Sequence, residues 1–97
     1  MDIDKLVYEF MQVAREDPSI GPSHISLYLT IVFLYQQRNR KMPIEIRAQQ
    51  LMDGAKIRST CTFYKHLKNL VDKRFIYYQP SHSPTMGSLI TINEKLG

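Results

Sequence analysis

Residues 21–37 carry no formal charge, and within them Ile25, Leu27, Tyr28, Leu29, Ile31, Val32, Phe33, Leu34 and Tyr35 cover most of a helical circumference. The pattern predicts a helix that Ser23 caps after Gly21-Pro22 and that runs to about residue 40, with Arg38, Arg40 and Lys41 where the helix dipole favours cations. A helix apolar on nearly every side must lie at the centre of a core or be shared with a second subunit. Its longest apolar run, residues 25–35, is interrupted by Ser26 and Thr30 and is too short to cross a bilayer. A chain of 97 residues has room for one such core, which predicts a single domain over 1–97 and excludes a cofactor cleft between two domains.

The other elements arrange themselves around that helix. Over residues 2–16, Leu6, Val7, Phe10, Met11, Val13 and Ala14 recur at three- and four-residue spacing, so an accessory helix fills residues 1–17 and stops at Asp17-Pro18. Pro43, Ile44, Glu45 and Ile46 alternate as a short strand. Residues 47–52 form a short helix that starts without a capping side chain, and Asp53-Gly54 reads as a turn. A long helix follows over residues 58–73, opened by Arg58 or Ser59, with Phe63, Leu67, Leu70 and Val71 on one face. Residues 75–79 and 88–93 are β-rich and flank the Pro-, Ser- and Gly-dense residues 80–87, as in a hairpin with a long polar tip. The fold class is therefore α+β, mainly α.

Charge is distributed unevenly. Residues 1–20 hold five acids against Lys5 and Arg15, whereas residues 38–74 hold ten cations against Glu45, Asp53 and Asp72. A basic middle suits a polyanion-binding surface, because each phosphate contact releases condensed counterions, although a solvated cationic face would look the same.

The segment RAQQLMDGAKIRSTCTFYKHLKNLVDKRFIYY resembles the winged helix-turn-helix pattern. It has a short helix, then a recognition helix with Thr62-Phe63 near its start and Leu67 and Leu70 three apart, then a strand opening at Ile76. The stretches HISLYLTIVFLYQQRNR and YYQPSHSPTMGSLI are similar to those of short bacterial winged-helix proteins often encoded on mobile elements. That resemblance implies a winged-helix core over 22–93 with an additional N-terminal helix and a C-terminal β-hairpin wing. It also implies a transcriptional regulator that reads double-stranded DNA with residues 58–73 in the major groove, where each base pair shows a distinct donor and acceptor pattern.

On that reading Arg58 and Lys65 donate to guanine, Asn69 pairs with adenine, and Thr62 touches a thymine methyl or a phosphate. Arg47, Lys56, Lys68 and Lys73 take the backbone, with Ser59 and Thr60 beside them at the start of the helix. The sequence departs from the pattern twice. Arg74 stands where a glycine usually ends the recognition helix, which predicts an exit of another geometry. The wing residues Ser81, His82, Ser83 and Thr85 include no permanent cation, which leaves wing contact to hydroxyls and backbone N–H groups.

The remaining polar residues give no enzyme. Cys61 and His66 point about 140° apart on a helix and cannot form a nucleophile–base dyad. His24, His66 and His82 fall in three elements, no Cys or His pair has zinc-ligand spacing, and the four glycines form no phosphate loop. No metal, cofactor or small-molecule ligand is expected. His24 reads as a capping or packing residue. Met11, Met42, Met52, Tyr28 and Tyr35 read as core and interface filler, and one of Tyr77 and Tyr78 must face outward. An acidic start without a signal-peptide pattern and a lone Cys61 predict a cytoplasmic protein with no membrane contact. The apolar first two helices predict a homodimer. Two other functions stay open, a protein-interaction or dimerisation module and a replication or excision accessory factor of a mobile element.

Overall fold

The computed structural model describes residues 2–81 and 86–94. Four helices and three strands follow in the order α1 (Ile3–Glu16), α2 (Pro22–Gln37), β1 (Ile44–Ile46), α3 (Ala48–Ala55), α4 (Thr60–Asp72), β2 (Ile76–Gln79) and β3 (Ser88–Ile92). The architecture is α+β and mainly helical, with one small antiparallel sheet. The order of elements is the one the periodicities predict.

The uncharged helix α2 packs against α1, α3 and α4, as its pattern requires. It buries Leu27, Tyr28, Ile31, Val32 and Tyr35. Phe10 of α1 stacks on Tyr28 with ring centroids 3.9 Å apart, and Phe75, just beyond α4, meets Phe10 edge-on at 4.8 Å. Phe10 is wholly buried, so the accessory helix is an integral part of the core. The filler reading holds for Tyr28, Tyr35 and Met52, but Met11 is exposed.

The sheet has strand order β1-β3-β2. Ile44 and Tyr78 both lie opposite Ile90, and Ile76 lies opposite Ile92. Period-two alternation turns Ile44, Ile46, Ile76, Ile90 and Ile92 into the core. Tyr77 faces out, whereas Tyr78 is half-buried with its hydroxyl 3.1 Å from that of Ser88. Gly87 leads into β3, where a Cβ would stand 2.8 Å from the Ile46 carbonyl carbon; only a residue without a side chain lets these backbones approach.

Helix ends depart from the local rules in four places. The cap of α2 is Gly21 and not Ser23. The Gly21 N–H donates to His24 Nδ1 at 3.0 Å, so His24 is the capping residue. The start of α3 is capped by Gln50, whose Oε1 accepts from the Arg47 N–H at 3.0 Å. That helix then continues through Asp53-Gly54 to Ala55. Gly54 is a packing position and not a turn, since a Cβ there would lie 2.5 Å from Thr30 Cγ2 on α2. Finally, Arg74 takes the left-handed conformation expected of glycine, with φ 63°. The Arg74 N–H donates to the Val71 carbonyl and the Phe75 N–H to the Leu70 carbonyl, and these two bonds close α4 in a Schellman motif. Burial of Phe75 against the core compensates the backbone cost of a non-glycine there.

Candidate nucleic-acid interface

The turn between α3 and α4 is fixed from beneath. Ser26 Oγ donates to the Ala55 carbonyl at 2.9 Å, which pins the end of α3 to α2. Lys56 then takes a left-handed conformation with φ 62°, and the Ile57 N–H reaches the Met52 carbonyl at 3.0 Å. Ile57 is buried and plugs the turn, while Arg58 stays exposed. Ser59 caps α4 by accepting from the Thr62 N–H at 3.2 Å, so its hydroxyl oxygen is committed to the helix start. An open cleft of about 650 Å³ lies along this turn, lined by Gln49, Met52, Asp53, Lys56, Arg58 and Thr60 among others.

Helix α4 buries Phe63, Leu67 and Leu70. Opposite them stand Cys61, Tyr64, Lys65, Lys68 and Asp72, all exposed, and Lys56, Arg58 and Thr60 extend this solvated side around the helix start. Among the described residues Lys56, Arg58 and Lys65 form no ion pair. Lys68 Nζ lies 3.1 Å from Asp72 Oδ2, an exposed i,i+4 pair of little energetic weight. Tyr64 rests its ring edge-to-face on Phe63.

The flank of α4 that faces α2 is different. Thr62, His66 and Asn69 are half-buried there, and the Asn69 amide lies 2.9 Å from His24 Nε2. The His24 and His66 rings are tilted across each other with centroids 4.1 Å apart. Lys73 Nζ lies 2.7 Å from Asp17 Oδ2, and Asp17 also accepts from the Ser19 hydroxyl at 2.6 Å. Asn69 and Lys73 thus tie α4 to α2 and to the α1–α2 connection. The assignments of Asn69 to adenine and Lys73 to phosphate place them among outward residues, whereas here each already has an intramolecular partner.

The electrostatics follow from these contacts. The Lys73 ammonium beside Asp17, with the Ser19 hydrogen bonds, holds the Asp17 carboxyl well below the usual carboxylate range. Burial, and then the neighbouring His66, depress the His24 pKa; burial and then Lys65 do the same for His66. Burial and then the Glu9 charge push the Tyr28 hydroxyl up to about 12.

Arg47 is exposed at the start of α3, beside Arg38, Glu45, Gln50 and Gly87 in a second open cleft. Arg38 donates to the Glu45 carbonyl there. Of the residues expected to form a wing, Ser81 is half-buried; His82, Ser83 and Thr85 lie outside the described residues. Sequence reasoning missed the His24–His66–Asn69 cluster. Asn69 lies 45 residues from His24 in the chain, and only the His24 capping role had a local signal. Among the described residues, no three His, Cys, Asp or Glu side chains could together hold a metal ion, and no helix is long and apolar enough to cross a membrane. No protein-family model, curated protein or solved structure matches the chain.

Proposed function

We propose that the chain is a winged helix-turn-helix domain that binds double-stranded DNA, with α4 in the major groove and β2–β3 as the wing. The observation that carries this reading is the placement of cations. Lys56, Arg58, Lys65 and Lys68 are all exposed around one helix whose opposite face is core. Its 13 residues make a rod roughly 20 Å long, a size the groove admits. Arg58 and Lys65 are the base-edge donors on this reading, Lys56 and Lys68 meet phosphates, and Thr60 flanks the entry. Asn69 and Lys73 act indirectly, by setting how α4 sits on α2. The biological role is regulation of transcription, with replication or excision of a mobile element as the neighbouring possibility that uses the same DNA chemistry.

Fluorescence anisotropy with a random duplex tests the proposal. Binding at about 50 mM salt that weakens with a log–log slope near −0.9 per neutralised phosphate supports it, and no binding at that salt removes it. A second reading, docking or homodimerisation through α1 and α2, is favoured by the exposed Tyr8, Leu29 and Phe33. Sedimentation separates the two, because a dimer without DNA affinity fits only the second.

A further inference from the structure

The His24–His66 cluster joins the start of α2 to the flank of α4, and its hydrogen bonding suits neutral rings. His24 is buried, and its Nδ1 accepts the Gly21 N–H at 3.0 Å. A neutral ring that accepts at Nδ1 carries its proton on Nε2, 2.9 Å from the Asn69 amide group, and that N–H is satisfied when the amide is turned so that its oxygen, not its NH2, faces the ring. A second proton would sit on Nδ1, opposite the Gly21 N–H, and would replace the helix cap by two donors facing each other. His66 Nδ1 is buried without a hydrogen-bond partner, so a proton there would find no acceptor.

The surrounding charges do not offset this. The charges that act on the cluster are the cations Lys65, which projects outward from α4, and Lys73 at the end of that helix, and from the α1–α2 connection Asp17, already matched to Lys73 and Ser19. Two protonated rings with centroids 4.1 Å apart would also repel each other.

We infer that His24 and His66 form a pH-operated latch: neutral, they hold α4 and the start of α2 together, and protonated, they release the α2 cap and loosen the seat of α4. The inference concerns the free chain and does not depend on DNA being its partner. A histidine whose protonation the fold resists contributes stability above its ordinary value of 6.5, and that contribution is lost as the pH falls below it. The latch therefore closes at neutral pH and opens in mild acid.

The test compares the wild type with His24→Gln/His66→Gln. Glutamine three residues after the cap residue can return the same bond to the Gly21 N–H and takes no proton. Between about pH 7.5 and pH 5 the wild-type melting temperature falls by several degrees while that of the double variant stays level. A level wild-type curve, or an equally steep fall in the double variant, overturns the inference. A proton NMR titration of the wild type gives an answer even if the double variant does not fold. The His24 and His66 rings titrate below 6.5, and the Gly21 amide signal moves with the His24 midpoint. Titration of His24 at or above 6.5, or a Gly21 amide signal that stays still, contradicts the latch.

Discussion

The two polar sides of α4 have similar composition and opposite circumstances. Its outward side holds Cys61, Lys65 and Lys68, exposed; its α2-facing flank holds His66, Asn69 and, just past the helix end, Lys73. On the outward side the cations meet solvent, apart from the weak Lys68–Asp72 pair. On the flank, the Asn69 amide is taken by His24 and the Lys73 ammonium by Asp17. A lysine is thus a candidate ligand-binding group on one side and an internal tie on the other. What distinguishes them is which residues from distant parts of the chain come to face them.

Substitutions on this one helix can break that contrast or sharpen it. The buried face sets the scale. Leu67→Ala removes a 2%-exposed side chain from the core and should cost about 2–5 kcal/mol, measured by urea unfolding. A cost within about 0.5 kcal/mol, the range of exposed sites, would mean that α4 sits in another rotation.

Outward changes should leave stability alone and alter binding. Lys65→Ala should weaken binding to a selected target duplex roughly tenfold and binding to random duplex far less, whereas Lys68→Ala should weaken both alike. Equal losses from Lys65→Ala on both duplexes would remove its assigned role as a base reader.

Flank changes should do the reverse. Asn69→Ala should cost about 1 kcal/mol in stability, read as a fall of roughly 4–8 °C in melting temperature, by leaving His24 Nε2 without its partner. Unchanged stability together with lost adenine preference would restore Asn69 to the outward set. The smallest effect belongs to the turn. Lys56→Gly relieves a left-handed conformation and should stabilise the fold by about 0.5–1 kcal/mol while weakening duplex binding through the lost charge. A stabilised variant with unchanged affinity would take Lys56 out of the interface.

Much of this is legible in the sequence, and apart from the two helix caps made by His24 and Gln50 the misses share a cause. The element order, the inward set Phe63, Leu67 and Leu70, and the outward position of Lys65 follow from periodicity, which is a local signal. Those other misses come from long-range contacts. Gly54 reads as a turn until Thr30 is seen against it, and Arg74 seems unsuited to a left-handed cap until Phe75 is placed in the core. Asn69 and Lys73 look like free polar residues because His24 and Asp17 lie 45 and 56 positions away.

Chemical-shift mapping with a labelled chain and a short duplex tests most directly whether the outward side of α4 is the surface that meets nucleic acid. Perturbations should cluster at Lys56, Arg58, Thr60, Cys61, Lys65 and Lys68, with only minor shifts at Leu29 and Phe33. Perturbations concentrated at Tyr8, Leu29 and Phe33, with α4 silent, would contradict the account.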